Sequence, residues 1–179
     1  MKKPSPAPNG CQARVLPPLE VLDGLLKLDH KTGVLIWRVN RTGGIRAGDV
    51  AGSLNTSGYT KISILGVMYV AHRIAWKLYY RTEPPDVLDH RNGMKSDNRP
   101  KKNLRPATRA LNSFNQKTPK SNVSGVKGVH YEKRIRKWRA QIMVGGKTIH
   151  LGSHATIEEA DAAVRAARKK YHGKFANHG

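Results

Sequence analysis

The sequence predicts an α+β protein built from small units, and three observations predict it. Apolar residues alternate over several short runs, the period of strands, and recur at three- and four-residue steps over others, the period of helices. Stretches rich in Pro, Gly and Ser separate these patterned segments. Only 38% of the 179 residues are hydrophobic, against a formal net charge of +21. A chain of that composition can fill compact modules with small cores more readily than one large core.

Residues 1–16 are expected to be a disordered leader, because Pro, Ser and Gly cannot build a core. In PLEVLDGLLKLDHKTG, Leu19, Leu22, Leu25 and Leu26 share one face of a short helix closed by a Lys-Thr-Gly turn. VLIWRV (34–39) reads as a strand. Over YTKISIL (59–65), Thr60, Ile62 and Ile64 share one face and Tyr59, Lys61, Ser63 and Leu65 the other, with a hairpin return through Gly66. HRIAWKLYY (72–80) reads as a helix packing Ile74, Ala75, Leu78 and Tyr79, broken by TEPPD. VLDH and LRP are short strands around a polar loop, and Thr108 caps a helix through Ala110, Leu111, Phe114 and Asn115. That order is a small ββα unit.

KTPKSNVSG (117–125) reads as a linker. Beyond it, GVKGVHYE, KWRAQIMV and KTIHLG read as three antiparallel strands. Thr156 to Glu159 then has the spacing of a capping box. Ala160, Ala163, Val164, Ala167 and Tyr171 line one face of the helix that follows. The domain plan is a leader at 1–16, a first domain at 17–116, a linker at 117–124 and a second domain at 125–179.

Composition also bounds the partners. The excess of positive charge runs through most of the chain, which points to nucleic acid before an acidic protein or a membrane surface. The single cysteine, Cys11, makes no internal disulfide and no zinc cluster, and it suits a reducing cytoplasm. No apolar run approaches a membrane span. The basic opening has no apolar stretch after it, unlike a secretory signal.

Residues 88–115, LDHRNGMKSDNRPKKNLRPATRALNSFN, hold the densest polar constellation. His90 is a candidate general base, and Asp89 and Asn112 are candidate hard-oxygen ligands. Asp89 and His90 are neighbours on a strand, so their side chains diverge and one can face a metal while the other faces a water. Asp and Asn oxygens suit Mg²⁺ or Mn²⁺ rather than zinc. Between Val87 and Thr118 stand eight Lys or Arg and two acids. Arg105 is among the cations expected to meet phosphate. His72 reads as structural.

This run resembles the HNH endonuclease motif in its phage and intron-encoded homing form. The similarity extends through LDHKTGVLIWR, AGDVAGSLNTSGYTKISILGVMYVAHRIAW and EPPDVLDHRNG, about residues 22–115. It implies that His90 is the general base, Asp89 and Asn112 the ligands of a divalent cation, and Asn103 a brace for the loop. Asn115 is the alternative to Asn112. No Cys pairs flank the motif, so the structural zinc of some relatives is not expected.

Residues 124–177 resemble the plant ethylene-response-factor DNA-binding domain (AP-two/ERF type), through Gly-Val-Lys-Gly-Val, Lys-Trp-Arg-Ala-Gln-Ile and Glu-Glu-Ala-Asp-Ala-Ala. Between Lys120 and Gly179 there are thirteen Lys or Arg and four acids, as a DNA-reading sheet needs. Arg139 and Gln141 share a face and are the first candidates for base contacts, followed by Lys127, Tyr131 and Lys147. Trp138 falls on the other face and is expected to pack on the helix.

Together these features predict a DNA endonuclease of the homing type. An N-terminal HNH unit cuts double-stranded DNA with Mg²⁺ or Mn²⁺, and a C-terminal sheet-plus-helix module reads it. It is expected as a monomer that nicks, with no obligate protein partner, in the cytoplasm of the host if phage-encoded. The alternatives are a DNA-binding regulator with an inactive nuclease unit and, more weakly, an RNA-binding structural protein.

Overall fold

The computed structural model describes residues 14–108, 111–112 and 122–176, apart from the side chain of Lys174. The chain divides into two compact units, Met1–Pro106 and Ala107–Gly179. The division falls ahead of the boundary expected at residue 116.

In the first unit, α1 (Leu19–Leu25) runs into β1 (Leu26–Leu28), which pairs antiparallel with β2 (Leu35–Trp37). The helix expected to close at the Lys-Thr-Gly turn of residues 31–33 therefore ends at Leu25, and residues 26–28 form a strand instead. Leu26 and Leu28 alternate inward as a strand because Trp37 and Leu35 stand opposite them. A three-stranded antiparallel sheet follows, β3 (Ser53–Leu54), β4 (Thr60–Ile64) and β5 (Val67–Val70), with β4 central. Ile62 and Ile64 are fully buried, on the face that alternation predicts. Leu65 and Gly66 both take positive φ in the β4–β5 turn, as a tight hairpin demands.

Helix α2 (Ala71–Tyr80) packs Ile74, Ala75 and Leu78 onto the same core as Leu22, Leu26 and Trp37. Burying each large aliphatic side chain stabilises the unit by roughly 1.5–3 kcal/mol. Leu16 also lies in this core, 4% exposed, so the last residue of the segment expected as a disordered leader belongs to the folded core. The last pair, β6 (Leu88–His90) and β7 (Leu104–Pro106), forms a two-stranded antiparallel ribbon.

The second unit is the sheet and helix that the sequence predicts. Strands β8 (Val129–Glu132), β9 (Lys137–Val144) and β10 (Lys147–His154) form an antiparallel sheet with β9 in the centre. Helix α3 (Ile157–Tyr171) opens with the capping box: Glu159 N–H donates to Thr156 Oγ1 at 3.2 Å, and Glu159 Oε2 accepts from the Thr156 N–H at 3.5 Å as well as from the Ala155 N–H at 3.0 Å. Val129, Ala140, Ala160 and Val164 form a small core, with Trp138, Leu151 and Ala163 packed against it. Tyr171, expected on this face, is 41% exposed. Arg168 is buried in its stead, because its guanidinium turns back to donate to the Lys127 carbonyl. Gly128 permits a close approach: a Cβ there would sit 2.5 Å from the Gln141 carbonyl oxygen.

Candidate active site

The β6–β7 ribbon buries its chemistry. Asp89 is 3% exposed, His90 5% and Arg105 8%. Strand register explains why two of them meet: Asp89 lies directly across from Arg105, and His90 across from Leu104. The Arg105 Nε–H donates to Asp89 Oδ2 at 2.7 Å, and an Nη2 lies 2.6 Å from the same oxygen. A carboxylate this buried requires such a partner. Arg105, expected as a phosphate contact, is thus a buried counter-ion that holds Asp89 in place.

The loop between the strands is tied down at both ends. Asn103, 2% exposed, accepts from the Asn92 N–H at 3.0 Å through Oδ1 and donates through Nδ2 to the Asp97 carbonyl at 2.7 Å. Asp97 in turn takes the fork of Arg99 at 2.8 and 2.6 Å and accepts from Asn92 Nδ2 at 2.8 Å. These donors hold its carboxyl below the ordinary range, the Arg99 hydrogen bond chiefly. Gly33, at φ +76°, lets the β1–β2 turn touch this loop; a Cβ there would lie 2.4 Å from Arg99 N.

Those ties present Asn98, 4% exposed, to the histidine: His90 Nε2 lies 3.4 Å from Asn98 Oδ1. The His72 ring meets His90 edge-on at 5.1 Å, and Tyr59 packs at 6.0 Å. Burial lowers the pKa of His90, against the pull of Asn98 and the acids Asp89 and Asp97. Burial also pushes His72 down to about 3, helped by its neighbours His90 and Arg73. Both imidazoles are therefore neutral near pH 7. A neutral imidazole can accept a proton, as a general base must.

Reading the sequence alone missed three members of this cluster. Tyr59 was only a strand residue, His72 was set aside as structural, and Asn98 was one polar residue in a loop full of them. The Asp-Asn-Arg run at 97–99 was the available signal, since an acid that clamps an Arg two residues on leaves the residue between them oriented. Asn112 lies in the unit that begins at Ala107. Its N–H donates to the Thr108 carbonyl at 2.9 Å, and Thr108 Oγ1 caps Leu111 N–H at 3.1 Å. Asn115 lies outside the described residues.

Among the described residues no three His, Cys, Asp or Glu side chains gather as a ready-made metal cage. The ribbon offers one carboxylate, Asp89. That donor set does not suit zinc, which needs three or four protein ligands. It does suit a hard cation such as Mg²⁺, which keeps several waters and leans on one or two carboxylates plus substrate phosphate.

In the second unit, strand register sorts the candidates for DNA contact. Arg139 and Gln141 share the outer face of β9, opposite to Trp138, Ala140 and Ile142. Tyr131 pairs across from Trp138, with ring centroids 5.0 Å apart, and so belongs to the other face. Lys147 lies across from Val144 on that same side, exposed at the hairpin end. Lys127 is half-buried beside Arg168, and burial lowers its pKa. The register adds two side chains to the Arg139 face: His130 lies across from Arg139 and His150 across from Gln141. Glu132 reaches Arg139 at 3.5 Å.

Comparison with known proteins fits this geometry. Residues 69–114 match the family model described as HNH endonuclease. That span begins in β5 and includes α2 and the whole ribbon, so the HNH-like segment lies near the middle of the chain, where the sequence had suggested an N-terminal unit. The chain is 40% identical over 74 residues to Protein 3.8 of Escherichia phage T7, a match covering 41% of this chain and 60% of the phage protein. No solved structure matches.

Proposed function

We propose that the chain is a sequence-directed DNA endonuclease of the homing type, with His90 as the general base. The observation that carries this reading is the buried ribbon inside the HNH-matched segment, where a neutral His90 stands beside the Asp89–Arg105 pair. His90 takes a proton from a water, whose oxygen attacks phosphorus in line with the departing 3′ oxygen. Asn98 sets the plane of the imidazole, and Asn103 keeps the loop that carries Asn98 in place. Asp89 would hold a divalent cation, Mg²⁺ or Mn²⁺, with Arg105 fixing its rotamer. When bound there, such an ion supplies positive charge to the phosphate and the leaving oxygen.

The second unit, in this reading, is an AP-two/ERF-type module that recognises double-stranded DNA through Arg139, Gln141 and the two histidines beside them. The formal net charge of +21 supports a polyanionic partner. No helix among the described residues is long and apolar enough to cross a membrane. The phage relative favours action in the cytoplasm of an infected host, and one HNH-matched segment per chain favours nicking by a monomer.

Supercoiled plasmid decides the matter. With Mg²⁺ the protein should nick it, and EDTA should stop the reaction. His90→Ala should lower cleavage by about 10²–10⁴-fold while gel-shift affinity stays near that of the parent. Full cleavage by the variant would remove His90 from its role. One observation favours a second reading: Arg105 engages Asp89 Oδ2 through two nitrogens, as in a structural ion pair. A protein that binds DNA tightly but nicks with no divalent cation would be a DNA-binding regulator with an inactive nuclease unit.

A further inference from the structure

Tyr59 and His72, whose rings pack against His90, also line a cavity of about 410 Å³ in the first unit. That volume lies in the ~300–1,000 Å³ range of small-molecule sites. Its walls come from several elements. The outer face of the β4–β5 hairpin gives Lys61, Met68 and Val70; Lys61 and Val70 are cross-strand partners, and Met68 follows at the two-residue period. Leu88 comes from β6, one residue before Asp89.

Charge in this lining favours an anion. Three cations, Arg14, Lys61 and Arg73, face one carboxylate, Asp86. Arg73 is anchored: its terminal nitrogens donate to the carbonyls of Pro85 at 2.8 Å, Asp86 at 3.3 Å and Pro84 at 3.4 Å. Its buried Nε–H has no acceptor, which is unusual for a buried donor. Met68 is 46% exposed although it lies on a strand packed over the core.

We propose that this cavity is a subsite for one nucleotide of the substrate strand, next to the phosphate that His90 serves. The inference rests on the nuclease reading above. Tyr59 and the aliphatic walls suit the face of a base and its sugar, and Lys61 and Arg73 suit its phosphate. A cavity of this size takes a single nucleotide swung out of the stack rather than a base pair. The shared walls at Tyr59 and His72 make its occupant a neighbour of the scissile bond.

The test needs no cleavage. Full-length, metal-free protein is titrated with deoxyadenosine 5′-monophosphate, and separately with inorganic phosphate, while backbone amide shifts are followed by NMR. The nucleotide should bind saturably and move the amides of Lys61, Val70 and Leu88, with phosphate alone at least tenfold weaker. Lys61→Ala should weaken nucleotide binding several-fold. Met68→Trp, which fills the opening, should abolish it, with circular dichroism confirming that both variants fold. Absence of saturable shifts, equal binding of phosphate, or undiminished binding by Met68→Trp overturns the proposal. Failure of the nuclease reading is a separate result, seen as wild-type protein that cannot nick plasmid with Mg²⁺.

Discussion

The two units place their candidate functional groups differently. In the first, Asp89, His90, Asn98, Asn103 and Arg105 are each less than a tenth exposed, beside an apolar core built on Leu22, Ile62 and Ile74. In the second, the core is four small aliphatic residues, and the candidate recognition groups Arg139 and Gln141 stand on the open face of the sheet. Chemistry on a bond needs groups held still, so the proposed catalytic residues go inside at a cost in desolvation. Reading of DNA needs exposed donors on a firm platform, so its residues stay outside and the platform need only be rigid.

The sharpest way to break this contrast is to orphan the buried charge. Arg105→Ala should destabilise the first unit by about 3–5 kcal/mol, because Asp89 would be left buried and unpaired. Hydrogen exchange read residue by residue should show lost protection in β6 and β7, with Val129 to Glu132 unaffected. Equal stability would mean that Asp89 finds water in the folded state and that the ribbon is wetter than it looks.

A void in the second core tests the other side. Val164 is fully buried between the helix and the sheet. Val164→Ala should cost that unit about 2 kcal/mol, a large share of so small a core, as measured by chemical denaturation. Cleavage of non-specific DNA should survive better than selective cleavage, since the proposed catalytic residues belong to the first unit.

Arg139→Ala should do the reverse of a core change. The Glu132 contact it loses is a half-exposed 3.5 Å pair, worth under about 1 kcal/mol, so the melting temperature should barely move. Discrimination between preferred and unrelated sites should fall by about 1–3 kcal/mol, read by competition gel shift. An unchanged site preference would move specificity away from this sheet.

The last effect is on pH. Burial lowers the pKa of His72 to about 3, so in acid the unfolded chain takes up a proton that the folded one refuses. Its contribution to stability is complete above about pH 6.5 and is lost as the pH falls toward 3. The slope should be about 1 kcal/mol per pH unit between these limits, below the one-proton maximum because the side chain is only partly buried. His72→Asn should flatten that slope in melting curves taken from pH 7 to pH 4. A slope that stays the same assigns the acid sensitivity to other groups.

How much of this was legible in the sequence varied with the range of the interaction. The strand alternation of residues 60–64, the capping box at Thr156 and the Asp89–His90 dipeptide are local patterns, and each lies where its period or spacing places it. Local patterns also misled. The stripe through Leu26 looked helical, yet Leu26 pairs with Trp37 as a strand, and Tyr171 fell on the helical stripe although Arg168 takes the buried place.

Hydrophobic period, turn residues and charge act over a few positions, so the α+β class, the sheet-and-helix form of the second unit and the identity of the polar constellation were all readable before folding. Tertiary structure decided which groups meet. Register across β6 and β7 turned Arg105 from a surface cation into the partner of Asp89. Chain closure brought Tyr59 and His72 to His90 from residues far away in sequence. Strand pairing put Tyr131 with Trp138 and His130 with Arg139. Such pairings depend on how distant strands and loops close on one another, and burial then shifts the protonation of whatever they enclose.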